Sequence, residues 1–301
     1  MEFPTTLLEF MEQFPDEDTC RRYLEKIRWP NGFACPRCQG TNASYVASRR
    51  LRQCAACRYQ VSVTAGTVFH ATQTSLQKWF LAIFFLSRHK QGISALQFQR
   101  DTGLGSYQTA WTMLHKLRSA LGRRTEQLLK GVVETDEAFV GGSRSGGKRG
   151  RGAPNKSIVV VMVEQREHTA GSAALEIVPD ASWESLGPTV RGCIEGANTT
   201  LVTDGHGGYS PFQAAGVDHE VTTEAPGDAL PWAHIVISNL KAWLLGTFRG
   251  VSHKHLDPYL KEFTYRLNRR WNEDKLFYYL TRRAVEGKPL PYRRLVAEPI
   301  G

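Results

Sequence analysis

The residues best placed to do chemistry fall into two groups. Cys35-Pro-Arg-Cys38 and Cys54-Ala-Ala-Cys57 form two C-x-x-C pairs separated by fifteen residues. Each pair fits a tight turn whose thiolates converge on one metal, and two such turns complete a tetrahedral four-sulfur shell. A redox dithiol needs one pair rather than two, so the spacing predicts zinc. Four thiolates leave no open coordination position, which makes the expected zinc structural. The second group is acidic. Asp136 interrupts the apolar or β-branched run Val132–Val140, and Asp204 ends the run Thr200-Leu-Val-Thr203. A carboxylate inside a central strand is costly unless it is paired or binds a cation. Two such strands side by side would offer both carboxylates to Mg²⁺ or Mn²⁺, whose remaining ligands are water and phosphate oxygens. Ions held in that way support an in-line displacement at phosphorus. Read without a metal, Asp204-Gly205 is a turn after a strand and Asp136 caps a loop.

These residues need elements to hold them. Short helices are expected over Leu7–Phe14 and Asp18–Ile27, ahead of the cysteine hairpins. From Ser75 to His89 the apolar Leu76, Trp79, Phe80, Ile83 and Phe84 recur on one helical face. Ile93–Leu121 then reads helix, glycine-containing turn, helix. Its second helix would point Trp111, Leu114 and Leu121 inward and Gln108, Thr109, Thr112, His115 and Lys116 outward. That layout suits a helix-turn-helix, although any small helical bundle shares it. After Gly131 the texture changes to strands at Val132–Val140, Ser157–Glu164, Ala173–Val178 and Thr200–Thr203. Helices are expected at Trp183–Glu195, Ala233–Gly246 and His255–Trp271. In the last of these the run Arg266, Asn268, Arg269 and Arg270 reads either as a DNA contact or as a surface charge run. Cys20 and Cys193 have no partner at metal spacing and read as packing residues.

Charge separates the two halves. Residues 1–130 hold 18 Lys and Arg against 9 Asp and Glu, whereas residues 131–301 balance to zero. The whole net charge of +9 therefore sits in the front half. A field of that sign draws polyanions, nucleic acid first among them. Arg52, beside the cysteines, and Lys116, on the second helix of the pair, are candidate DNA contacts. The segment Gly141–Gly152 is too glycine-rich for regular structure, and Arg144, Lys148, Arg149 and Arg151 there would clamp a phosphate backbone close to Asp136. Gly142–Lys148 imitates a nucleotide-binding loop, but Arg149 replaces the metal-binding hydroxyl, so an ATPase is excluded. No apolar run is long enough to cross a bilayer and the first residues carry no secretory signal, so an intracellular protein, cytoplasmic and nucleoid-associated, is expected.

The runs TDEAFVGG, VTDGH and HIVISNLKAWLLGTFRGVSHKHLDPYLKEFTYRLNRRW resemble the ISXO-like insertion-sequence transposases of bacteria. The resemblance covers about residues 15–275 and implies a zinc ribbon ahead of a DDE-type ribonuclease H-like core. It implies Mg²⁺- or Mn²⁺-dependent cleavage and strand transfer of double-stranded DNA, at the element's terminal inverted repeats and at a target, by a homo-oligomer. Asp136 and Asp204 match the first two catalytic acids. Many relatives place a Glu five residues after a His, and here His234 is followed at that distance by Asn239. Asn239 is taken as the third ligand, with 34 residues between it and Asp204. The alternative register rests on Lys241, which stands seven residues after His234 and would put His234 itself in the third position. In either register Lys241 shares a helix with the third ligand and suits a phosphate contact.

The expected architecture is α/β: an N-terminal helical segment with zinc ribbon (1–66), a helix-turn-helix-like segment (67–130) and a ribonuclease H-like core with mixed sheet and C-terminal helix (131–301). Two other functions fit the same sequence. One is a zinc-ribbon DNA-binding protein with an inert core; the other is a structure-selective nuclease that cuts without joining.

Overall fold

The computed structural model describes residues 3–122, 127–141, 156–222, 224 and 229–297. Helices α1 (Leu7–Gln13) and α2 (Glu17–Arg28) precede strands β1 (Ala43–Val46), β2 (Leu51–Cys54) and β3 (Gln60–Val61). Then come α3 (Leu76–Arg88), α4 (Ala95–Thr102) and α5 (Tyr107–Ser119). Strands β4 (Leu129–Val140), β5 (Ser157–Arg166) and β6 (Thr169–Val178) lead to α6 (Trp183–Arg191), β7 (Ile194–Thr203) and β8 (Asp218–Val221). Helices α7 (Pro231–Phe248), α8 (Leu256–Leu267), α9 (Leu276–Glu286) and α10 (Tyr292–Ala297) complete the chain.

Contacts divide the chain into two compact units, residues 1–121 with 272–298, and residues 122–271 with 299–301. The first unit is thus closed by the end of the chain. Residues 272–298, which the sequence reading placed in the core, fold instead with the front half. The reason is aromatic burial. Phe277 of α9 is 1% exposed and lies 5.4–6.2 Å, ring to ring, from Phe10, Phe14, Tyr23 and Phe80 of α1, α2, α3 and the α1–α2 junction. The Ala284 carbonyl also accepts a hydrogen bond from the Val68 amide.

Local signals start these helices where the sequence allows. Thr6 and Glu9 form a reciprocal capping box on α1, and Asp16 caps α2. Helices α4 and α5 are joined by Gly103–Ser106, with Gly103 in the left-handed region (φ +60°) where a side chain would be strained. The helix-turn-helix layout is therefore present, with two departures on α5. His115 is buried rather than outward, stacked on Trp111 at 3.8 Å, and Lys116 is half-buried, which lowers its pKa. The outward residues are Tyr107 and Gln108 in the first turn.

The second unit is a five-stranded mixed sheet in the order β6-β5-β4-β7-β8. Strands β6, β5 and β4 are antiparallel neighbours, while β7 and β8 run parallel to β4. That is the strand order of a ribonuclease H-like core. Side chains alternate across the sheet. Ala138, Val140, Val159, Val161 and Val163 pack against Val236, Leu240 and Trp243 of α7 and Leu260 of α8. Val133, Val160, Met162 and Leu201 face the other way, onto Leu186 and Val190 of α6 with Tyr209 and Phe212. Asn268 and Arg270, from the basic run after α8, are structural: Asn268 pairs with both the amide and the carbonyl of Ala173 at 2.8 and 2.9 Å, and Arg270 donates to the Ala170, Gly171 and Leu267 carbonyls.

Deleting the Phe277 ring should cost the first unit about 3–5 kcal/mol, the usual penalty for emptying a buried aromatic site. Denaturant unfolding of Phe277→Ala measures it. A loss below about 1 kcal/mol would contradict the closure of that unit by α9.

Candidate active site

Strand β4 carries three carboxylates within four residues, and the pleat distributes them. Glu134 and Asp136 face α7, whereas Glu137 faces α6. The parallel register pairs Glu134 with Val202 of β7. Two residues further on, Asp136 continues β4 and Asp204 follows the end of β7, within electrostatic reach of Asp136. Asp136 is largely withdrawn from water. Burial raises its pKa and the negative Asp204 adds to that, while His234 and Lys241 oppose it. Its Oδ1 accepts the Glu137 amide at 2.7 Å, which fixes the rotamer, and its Oδ2 lies 3.3 Å from His234 Nε2. Asp204 is exposed and its Oδ1 accepts the His206 amide at 3.0 Å.

Helix α7 is aimed at this site by a residue the sequence reading did not single out. The helix opens with Pro231 and has no cap from its own Leu230. Instead Glu134, 3% exposed, accepts the Ala233 amide at 2.9 Å. Burial pushes the Glu134 carboxyl up in pKa, and the Ala233 and Trp232 amides pull it back. A carboxylate at a helix N-terminus meets the positive end of the helix dipole. Glu134 therefore ties the first turn of α7, and His234 within it, to the strand that carries Asp136. The clue in the sequence was the two-residue spacing from Asp136.

Helical pitch separates the two registers for the third position. At about 100° per residue, Lys241 lies within roughly 20° of His234, two turns on, while Asn239 lies about 140° away. Asn239 is exposed. The structure brings Asp204, His234 and Lys241 into electrostatic reach of Asp136, and Asn239 lies on another part of the helix circumference.

A half-buried carboxylate, a second like charge beside it and an imidazole directed at the first form a donor set that fits a divalent cation. The three are set more widely than a closed cage. Among the described residues, the four cysteines alone form a group of three or more potential ligands whose donor atoms all lie within 4.8 Å of each other. Cys35 Sγ is 3.6 Å from Cys57 Sγ, and Cys38 Sγ is 3.6 Å from Cys54 Sγ. Tetrahedral zinc with bonds near 2.3 Å places its sulfurs about 3.8 Å apart. Both knuckles share one turn, in which the amide four residues after the first cysteine donates back to its carbonyl: Gln39 to Cys35 and Arg58 to Cys54. Gln39 and Arg58 are both left-handed, at φ +61° and +59°.

Of the DNA-contact candidates, Arg144, Lys148, Arg149 and Arg151 lie outside the described residues. Arg52 is engaged within the protein, pairing with Glu25 through Nη2 at 2.6 Å beneath the Tyr45 ring. Lys116 is half-buried on α5, as described above.

Removing zinc should unfold the three-stranded β1-β2-β3 sheet, whose strands bury few apolar side chains of their own. Chelation, or Cys54→Ser, is expected to abolish the amide protection of residues 35–61 in hydrogen exchange. Unchanged protection would contradict a structural zinc.

Comparison with known proteins identifies two domains in the chain. Residues 128–268 match the ISXO2-like transposase domain, and residues 15–60 match the transposase zinc-ribbon domain. Over 281 residues the chain is 30% identical to an uncharacterised protein in transposable element ISH50 of Halobacterium salinarum, spanning 85% of this chain and 92% of that protein. Two domain matches in the same order and a full-length relative from a mobile element lead to one assignment: the chain belongs to the ISXO2-like family of insertion-sequence transposases.

Proposed function

We propose that the protein cuts and joins DNA at the ends of an insertion sequence, using divalent metal ions held by Asp136, Asp204 and His234. The observation that carries this reading is the approach of Asp204 and His234 to Asp136, on the central strand of a ribonuclease H-like sheet. Mg²⁺ or Mn²⁺ bound there supplies charge neutralisation at the phosphate and an activated attacking oxygen. Asp136 and Asp204 provide the anionic ligands. His234 takes the third position, in place of Asn239, because it shares the face of α7 that meets Asp136. A neutral imidazole adds no negative charge, so the set should hold its cations less tightly than three carboxylates would. Lys241, two turns along the same face, suits a point contact with a DNA phosphate.

The first unit is proposed to bind the element end. Its helix-turn-helix presents Tyr107 and Gln108 in the first turn of α5, where such motifs reach base edges in the major groove. The positive charge of the front half supplies backbone attraction. The chemistry leaves a 3′-hydroxyl at the element end, and that hydroxyl attacks a target phosphodiester. Two ends must be brought together for this, so a dimer or higher assembly is part of the proposal.

The test uses purified protein, labelled element ends, a target plasmid and Mg²⁺ or Mn²⁺. Asp136→Ala should abolish both cleavage and joining, and His234→Ala should lower them at least about 100-fold, the scale of losing a group that acts on the reacting centre. Asn239→Ala should stay within a few-fold of wild type. Loss of activity in Asn239→Ala but not in His234→Ala would return the third position to Asn239. Cleavage without joined product would make the protein a nuclease, and DNA binding unaffected by Asp136→Ala with no cleavage in the wild type would leave a non-catalytic binder.

A further inference from the structure

The opposite face of β4 holds a third carboxylate that the proposed chemistry does not use. Glu137, with its side chain 5% exposed, points toward α6 and away from His234. Its Oε1 is 3.7 Å from His206 Nδ1, beyond hydrogen-bond reach. Burial raises the Glu137 pKa, and the His206 ring and the neighbouring hydroxyl of fully buried Tyr209 oppose that rise. A carboxylate buried this deeply is costly unless its neighbours compensate for it.

What Glu137 faces is the turn that carries Asp204. The segment Asp204-Gly-His-Gly-Gly-Tyr209 folds back on itself through His206. The His206 amide donates to Asp204 Oδ1 at 3.0 Å, and the Gly208 amide points at His206 Nδ1 at 3.3 Å. The glycines let this turn pack down. Gly205 has φ +79°, and a Cβ at Gly208 would stand 2.3 Å from the Ala181 carbonyl and 3.2 Å from His206 Nδ1. His206 thus touches the Asp204 turn on one side and the Glu137 carboxylate of β4 on the other.

We propose that Glu137 and His206 are positioning residues, joined across the β4–β7 boundary to hold the exposed Asp204 carboxylate level with Asp136. The proposal rests on the reading of Asp136 and Asp204 as metal ligands and adds a support behind them. Beyond Thr203 the β7 ladder ends, and the backbone alone no longer fixes Asp204. Glu137, 3.7 Å from His206, braces the Asp204 turn from β4 instead. Supports of this kind typically change metal affinity about 10–100-fold when removed.

The experiment measures Mn²⁺ binding by calorimetry to the full chain with zinc in its four cysteines. Asp136→Ala tests the underlying reading: it should lose Mn²⁺ binding at this site, and wild-type binding there would overturn the metal site itself. With that established, Glu137→Gln and His206→Ala should each weaken Mn²⁺ about tenfold. The double variant should be no weaker than about the single variants, because both substitutions break one contact. Affinity within twofold of wild type in either single variant, or a double variant at the product of the two losses, would overturn the proposal. His206 is 24% exposed, so His206→Ala carries the test alone if the buried Glu137 variants do not fold. Unchanged Mn²⁺ affinity in it would be decisive against the support.

Discussion

The site depends on the parallel pairing of β4 with β7. In a parallel ladder, residues at the same level keep their side chains on matching faces, so one register decides whether two acids meet. Here Glu134 pairs with Val202, and the next residues of the same parity are Asp136 and Asp204. A slip of one residue would send one carboxylate to the α6 face and leave the other alone against α7. The sheet enforces the register through its core. Val133 and Leu201, paired across the same ladder, are both fully buried on the α6 side, so the pairing that buries them also aligns the acids.

Around that pairing, the carboxylates of β4 divide their tasks by parity. Asp136 faces His234 and the proposed metal. Glu134, two residues earlier on the same face, is spent on the N-terminus of α7 and so orients His234. Glu137, on the reverse face, meets the turn of Asp204. All three have raised pKa values, with burial the leading cause. Each is costly to bury, and each cost is offset differently: by helix amides, by a neighbouring imidazole with a cation, or by the His206 contact.

Much of this was legible in the sequence. The cysteine spacing specified the zinc turns, and an apolar run ended by an acid marked both Asp136 and Asp204. The third position was not legible, because α7 is apolar around much of its circumference and its docked face is set by Glu134 and the sheet. Counting five residues from His234 favoured Asn239; His234 is proposed in its place because it is the α7 residue that meets Asp136. His115 was read as outward from its polarity, but stacking on Trp111 buries it. Leu276, Phe277, Leu280 and Ala284 have helical spacing, yet nothing local says that they complete a core begun at Phe10. That assignment is a long-range contact, which periodicity does not encode. The glycine-arginine segment, with its four basic candidates, lies outside the described residues.

Anomalous diffraction from crystals soaked in Mn²⁺ tests the central claim most directly. The account places a peak within about 2–2.5 Å of carboxylate oxygens of both Asp136 and Asp204, with His234 nearer to it than Asn239. A peak bound by only one of the two aspartates, or coordinated by Asn239 while His234 points away, would contradict it.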